Sequence, residues 1–91
     1  MIATRSIGLY APTSPTGPPP ALVERLSRRQ CQVAILVADG KTNKQIAAEL
    51  GITPETVRTY VKRVITRLEI TEGEPRVMIA RHVIFAWAEA A

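Results

Sequence analysis

One cysteine, one histidine and aromatic residues at only 4% of 91 positions leave this chain little material for covalent chemistry. A lone cysteine excludes an internal disulfide and suits a reducing compartment, so the expected location is the cytoplasm. One His and one Cys supply neither a nucleophile with its base and orienting partner nor a ligand cluster. His82 has no Cys, Asp or Glu at ligand spacing on its own helix face. A glycine-rich phosphate loop is missing too. No enzyme activity, metal or cofactor is therefore expected. There is no apolar run of 18 residues, hence no indicated membrane span. The opening MIATRSIGLYAPTS lacks the continuous apolar core of a secretory signal.

Basic residues are the material present in excess, and their placement matters more than the net charge of +4. Residues 1–40 carry four Arg against Glu24 and Asp39. Residues 41–68 carry Lys41, Lys44, Arg58, Lys62, Arg63 and Arg67 against Glu49 and Glu55. Residues 69–91 carry Arg76 and Arg81 against four Glu. The positive surplus sits in the middle segment, which favours a polyanionic partner. At this length the chain is one domain at most, burying only about 60% of its unfolded surface.

Five of the seven prolines fall within residues 1–21, among Thr, Ser and Gly and without periodicity. Proline lacks the donor that helices and central strands need, so this stretch reads as a disordered or polyproline-like arm. Pro12, Pro15 and Pro18 satisfy PxxP spacings, a match that arises readily by chance. Beyond the arm, helix-start signals recur. Ser27 precedes Gln30, Thr42 precedes Gln45 and Thr71 precedes Glu74, each at capping-box spacing. Leu26 and Cys31 stand at the positions of a hydrophobic staple. Thr53-Pro54 supplies a cap followed by proline at the first helical position. The spacing predicts helices over 28–39, 43–50, 54–68 and 74–89, and no run shows strand alternation. The expected fold is all-α.

The segment TNKQIAAELGITPETVRTYVKRVITRL, residues 42–68, reads as two helices joined through Gly51-Ile52-Thr53. Ala47 is small where the helices cross, and Gly51 stands where a helix stop needs a positive φ. Ile46, Leu50, Ile52, Val57, Val61 and Val64 provide the locking contacts. The second helix buries Val57, Val61, Val64 and Leu68 on one stripe. It leaves Glu55, Arg58, Thr59, Lys62, Arg63 and Thr66 on the other. Two helices in this arrangement, with a basic outward side on the second, form a helix-turn-helix that fits the DNA major groove.

From Leu26 to Leu68 the text LSRRQCQVAILVADGKTNKQIAAELGITPETVRTYVKRVITRL resembles the LuxR-type (GerE-type) DNA-binding domain of bacterial transcription regulators. Leu36-Val37-Ala38 before Gly40, Thr42-Asn43-Lys44-Gln45-Ile46-Ala47, and Thr56-Val57-Arg58 followed by Tyr60-Val61 carry the likeness. The chain departs from that pattern at Arg28, Gln30 and Gln32, where the family often has Pro and acidic residues, and at Tyr60, where it often has His. The resemblance implies a four-helix helix-turn-helix domain over 22–91 with a recognition helix at 54–68. It also implies a sequence-specific regulator of transcription on double-stranded DNA. A stand-alone, single-domain form is expected, since a 21-residue arm has no room for the receiver or sensor domain that usually accompanies the family's domain.

On that resemblance Arg58, Thr59 and Lys62 are expected at base edges. Arg or Lys donates to guanine, and the Thr methyl meets a thymine methyl. Asn43 and Lys44 open a helix whose free donors favour a phosphate, and Thr56, Arg63 and Arg67 suit backbone phosphates as well. The last helix, VMIARHVIFAWAEAA, is too apolar for the surface of a monomer. Val77, Ala80, Ile84 and Trp87 lie on one stripe, with Ile79, Val83 and Ala86 beside it. A homodimer is expected through Met78, Val83, Ile84, Phe85 and Trp87. Tyr60 and Cys31 read as packing residues. The competing reading is a protein-interaction module resembling the promoter-reading end of a sigma factor, which docks on RNA polymerase. It has no need of Arg58, Lys62, Arg63 and Arg67 on one face.

Overall fold

The structure, a computed structural model, describes residues 18–90. Five helices follow one another: α1 (Pro20–Val23), α2 (Arg28–Ala38), α3 (Asn43–Leu50), α4 (Pro54–Arg67) and α5 (Pro75–Ala90). No strand occurs among the described residues, and none of their helices is long and apolar enough to cross a membrane. The fold is all-α, as the sequence predicts. Of the expected arm, residues 1–17 lie outside the described residues. The single turn α1 is not anticipated by the sequence and starts two residues inside the expected arm. Pro20 at its first position loses no needed donor, and Leu22, only 2% exposed, anchors the turn in the core.

The helices begin where the capping chemistry predicts, with one exception. Ser27 Oγ accepts from the Gln30 N–H at 3.2 Å while Gln30 Oε1 accepts from the Ser27 N–H at 3.0 Å. Thr42 and Gln45 form the same reciprocal pair at 3.1 and 2.9 Å. Thr53 Oγ1 accepts from the Thr56 N–H ahead of Pro54. The expected box at Thr71 does not form. Glu74 itself caps α5, its Oε1 accepting from the Val77 N–H at 3.0 Å. Gly73, at φ +85°, turns the chain between Thr71 and Pro75, and Pro75 fixes the first helical φ. Thr71 is thereby left outside the helix.

Three helices, α2, α3 and α4, stop at left-handed residues. Gly51 has φ +71°, and the next N–H, that of Ile52, donates back to the Ala47 carbonyl. Gly40 has φ +83°, with Lys41 N–H on the Leu36 carbonyl. After α4 the same device uses Glu69 at φ +57°. Ile70 N–H reaches the Ile65 carbonyl and Glu69 N–H the Thr66 carbonyl, the two bonds of a Schellman stop.

Helix α2 is the hub. Val33, Ala34, Ile35, Leu36 and Val37 are all buried, because α5 packs on one side of α2 and α4 on another. Ile46 and Ala47 seat α3 against Val57, Val61 and Val64 of α4. On α5 the inward stripe is Ile79, Val83, Ala86 and Trp87, whereas Val77, Ile84 and Phe85 are 53–57% exposed. Two of the residues expected at a dimer interface, Val83 and Trp87, thus lie on the inward stripe. Val83 and Trp87 belong to the domain's own core and are not available to a second copy. Their shared face closes over α2, and apolar area buried there is the main stabilising term for so small a domain. The Trp87 indole N–H finds no acceptor among the described residues.

Candidate nucleic-acid interface

Helix α4 presents two sharply different sides. Val57, Val61 and Val64 are buried, while Arg58, Thr59, Lys62, Arg63, Thr66 and Arg67 are exposed. The apolar stripe recurs at spacings of four and three, and Arg58, Lys62 and Arg63 fall outside it. Among the described residues the only ion pair is Arg25 with Glu69 at 3.8 Å, so no carboxylate pairs with Arg58, Lys62 or Arg63. A basic surface without internal neutralisation attracts an external anion.

Local hydrogen bonds set what the threonines can offer. Thr59 Oγ1 donates to the Glu55 carbonyl at 3.3 Å, so Thr59 presents chiefly its methyl group outward. Thr66 Oγ1 donates to the Lys62 carbonyl at 3.1 Å. The Thr56 hydroxyl lies 2.9 Å from that of Thr53, inside the cap of α4. Arg25 donates to the Arg67 carbonyl at 3.0 Å and so braces the C-terminal turn of α4 against the segment after α1.

At the start of α3, Lys44 is exposed and Asn43 half-buried. The Asn43 carboxamide is already engaged: Arg76 Nη1 donates to its Oδ1 at 2.8 Å and Arg76 Nη2 donates to the Lys41 carbonyl at 2.6 Å. Asn43 therefore keeps its amide donor and its backbone N–H for a ligand. Arg76 ties the first turn of α5 to the first turn of α3, a role that no spacing in the sequence signals across 33 residues. Gln30 is a second such residue, signalled by the sequence only as a helix cap. It is 7% exposed and lines a groove with Thr59, Lys62, Arg63, Thr66 and Arg67.

The expected dimer residues divide. Ile84 and Phe85 are exposed and Met78 half-buried, while Val83 and Trp87 face inward. Arg81 lies over the Phe85 ring at 5.7 Å. Burial, then Arg25 and Arg81, lower the His82 pKa from its ordinary value. Burial raises that of the Cys31 thiol, whose Sγ sits 3.8 Å from the Leu26 carbonyl. That places Cys31 as packing at the fourth position of α2.

Two short helices joined through a left-handed glycine, the second capped by Thr-Pro and cationic on its free side, define a helix-turn-helix DNA-binding domain. The family model "Bacterial regulatory proteins, luxR family" matches residues 24–81, more than half the sequence. The chain belongs to that family. It is 39% identical over 49 residues to the transcriptional regulatory protein LiaR of Bacillus subtilis, covering 54% of this chain and 23% of LiaR. Identity to the two-component response regulator PprB of Pseudomonas aeruginosa is 54% over 52 residues, 57% of this chain and 18% of PprB. The response regulator protein VraR of Staphylococcus aureus is 34% identical over 59 residues, 65% of this chain and 28% of VraR. The chain thus spans about a quarter of the length of the curated relatives it matches. No solved structure gives a significant match.

Proposed function

We propose that the domain reads double-stranded DNA sequence-specifically as part of transcription regulation, with α4 in the major groove. Arg58, Thr59 and Lys62 meet base edges; Asn43, Lys44, Thr56, Arg63 and Arg67 meet backbone phosphates. The observation that carries this reading is that Arg58, Lys62 and Arg63 stand exposed on one side of α4 without a carboxylate partner among the described residues. The relatives' roles as regulators support it. A homodimer through the outward face of α5, centred on Ile84 and Phe85, belongs to the same proposal. Such a dimer reads a pseudo-palindromic site with half-sites about one helical turn apart. Work in the cytoplasm belongs to the proposal as well.

Selection of bound duplexes from a random library, followed by sequencing, tests the reading. A recurring motif with two-fold symmetry is expected. Enrichment of no motif, with all binding lost at modest salt, favours the sigma-like, polymerase-docking alternative.

A further inference from the structure

The groove between the first turn of α2 and the outer side of α4 is lined by Gln30, Thr59, Lys62, Arg63, Thr66 and Arg67. Gln30 is the one buried polar residue among the described residues. Its amide cannot turn freely. Oε1 is held by the Ser27 N–H at 3.0 Å as half of the capping box, which obliges Nε2 to be the remaining group. Nε2 has no acceptor among the described hydrogen bonds, yet it is not one of the fully enclosed orphan atoms. Because Gln30 lines the groove, Nε2 is the neutral donor it can offer there, with Lys62, Arg63 and Arg67 along the same wall and no acidic residue in the lining.

We infer that this groove is a phosphate seat, in which Gln30 Nε2 and the Arg63 and Arg67 guanidinium groups clasp one phosphate of the DNA strand running past α4. The inference rests on the DNA-reading proposal and adds to it an uncharged contact from a different helix. A cap-fixed amide makes a directional bond, whereas long cationic side chains supply charge. The seat fixes how deeply α4 enters the groove, because one phosphate is held between two helices whose relative position the core sets. It carries positioning rather than sequence readout.

Gln30→Glu separates this role from folding. Glutamate serves the capping box as well as glutamine, so the helix start survives. Its second oxygen, however, puts an acceptor and a negative charge where a donor stood. Thermal unfolding is expected to be unchanged or slightly raised. Affinity for a random-sequence duplex is expected to fall about tenfold at 0.1 M salt, and the slope of log affinity against log salt to shrink by about one. In parallel, inorganic phosphate is titrated into the wild-type protein while the Gln30 side-chain NH2 resonances are followed by NMR; they are expected to shift. Equal duplex affinity and slope in the two proteins overturn the seat and leave the DNA reading standing. A phosphate shift at Gln30 with no duplex binding by either protein keeps the seat as a site for free phosphate and overturns the DNA reading. Absence of both the shift and duplex binding overturns both.

Discussion

Arg76 on α5 donates from Nη1 to Asn43 Oδ1 on α3 at 2.8 Å, and its second amine holds the Lys41 carbonyl at 2.6 Å. The last helix thus fixes the entry of the helix-turn-helix from behind. Charge-assisted bonds in a partly buried setting are the stronger kind. Arg76→Ala is expected to cost about 1–3 kcal/mol in denaturant unfolding. A double-mutant cycle with Asn43→Ala should show a coupling of about 0.5 kcal/mol or more. Additive losses would mean that the two side chains act separately.

The base-edge and phosphate assignments differ in what they do to specificity. Lys62→Ala is expected to cost about 1–3 kcal/mol on the preferred site and to blur its sequence preference. Lys44→Ala should weaken all duplexes alike and lower the salt slope by about one. Equal losses by the Lys62 variant on preferred and random duplex would remove Lys62 from the base-reading set.

The left-handed residues make opposite predictions. Gly51→Ala meets nothing within 4 Å, so its cost is conformational alone, about 1 kcal/mol. Gly73→Ala should cost more, since its new Cβ lies 3.1 Å from Met78 Cγ. Glu69 already occupies such a stop at φ +57°, and its ion pair with Arg25 is exposed at 3.8 Å. Relief of the strain outweighs so weak a pair. Glu69→Gly is expected to stabilise by about 0.5–1 kcal/mol, seen as a rise of a few degrees in Tm.

On α5 the two faces give separable phenotypes. Phe85→Glu alters a residue 57% exposed and should leave Tm nearly unchanged while abolishing self-association in light scattering. Val83→Ala, at 0% exposure, should instead cost about 2 kcal/mol of stability. A wild-type chain that scatters as a monomer with and without DNA defeats the dimer.

His82 introduces a pH dependence whose sign follows from its lowered pKa. Burial, Arg25 and Arg81 disfavour its charged form in the native state, whereas the unfolded chain protonates near the ordinary 6.5. The unfolded state therefore binds more protons in that window. Stability is fully present above 6.5 and declines as pH falls through and below it. His82→Gln should flatten that part of the curve in urea unfolding measured from pH 7.5 to 5.

Local chemistry made much of this fold legible. Ser27 with Gln30, Thr42 with Gln45, Thr53-Pro54 and Gly51 each act through neighbours within a few residues, so spacing alone reveals them. Helix α5 was less legible because it is apolar around most of its circumference. Periodicity then cannot say which stripe turns inward, and Val83 and Trp87, which the sequence assigns to a dimer interface, turn into the core. Thr71 and Glu74 have the spacing of a cap, but Gly73 and Pro75 between and beside them dictate another path. Contacts such as Arg76 with Asn43, or Gln30 beside Arg63 and Arg67, depend on how helices distant in sequence come to rest. Capping explained Gln30 completely, so its spare amide donor gave no separate sign.

The inward placement of Trp87 has a practical outcome. It is the chain's sole tryptophan, 6% exposed and without an acceptor for its indole N–H among the described residues. Its fluorescence is therefore that of an indole shielded from water, and a red shift accompanies loss of the native packing. Every variant named above can be melted label-free, with the emission reporting the joint between α5 and α2 rather than the DNA-facing helix.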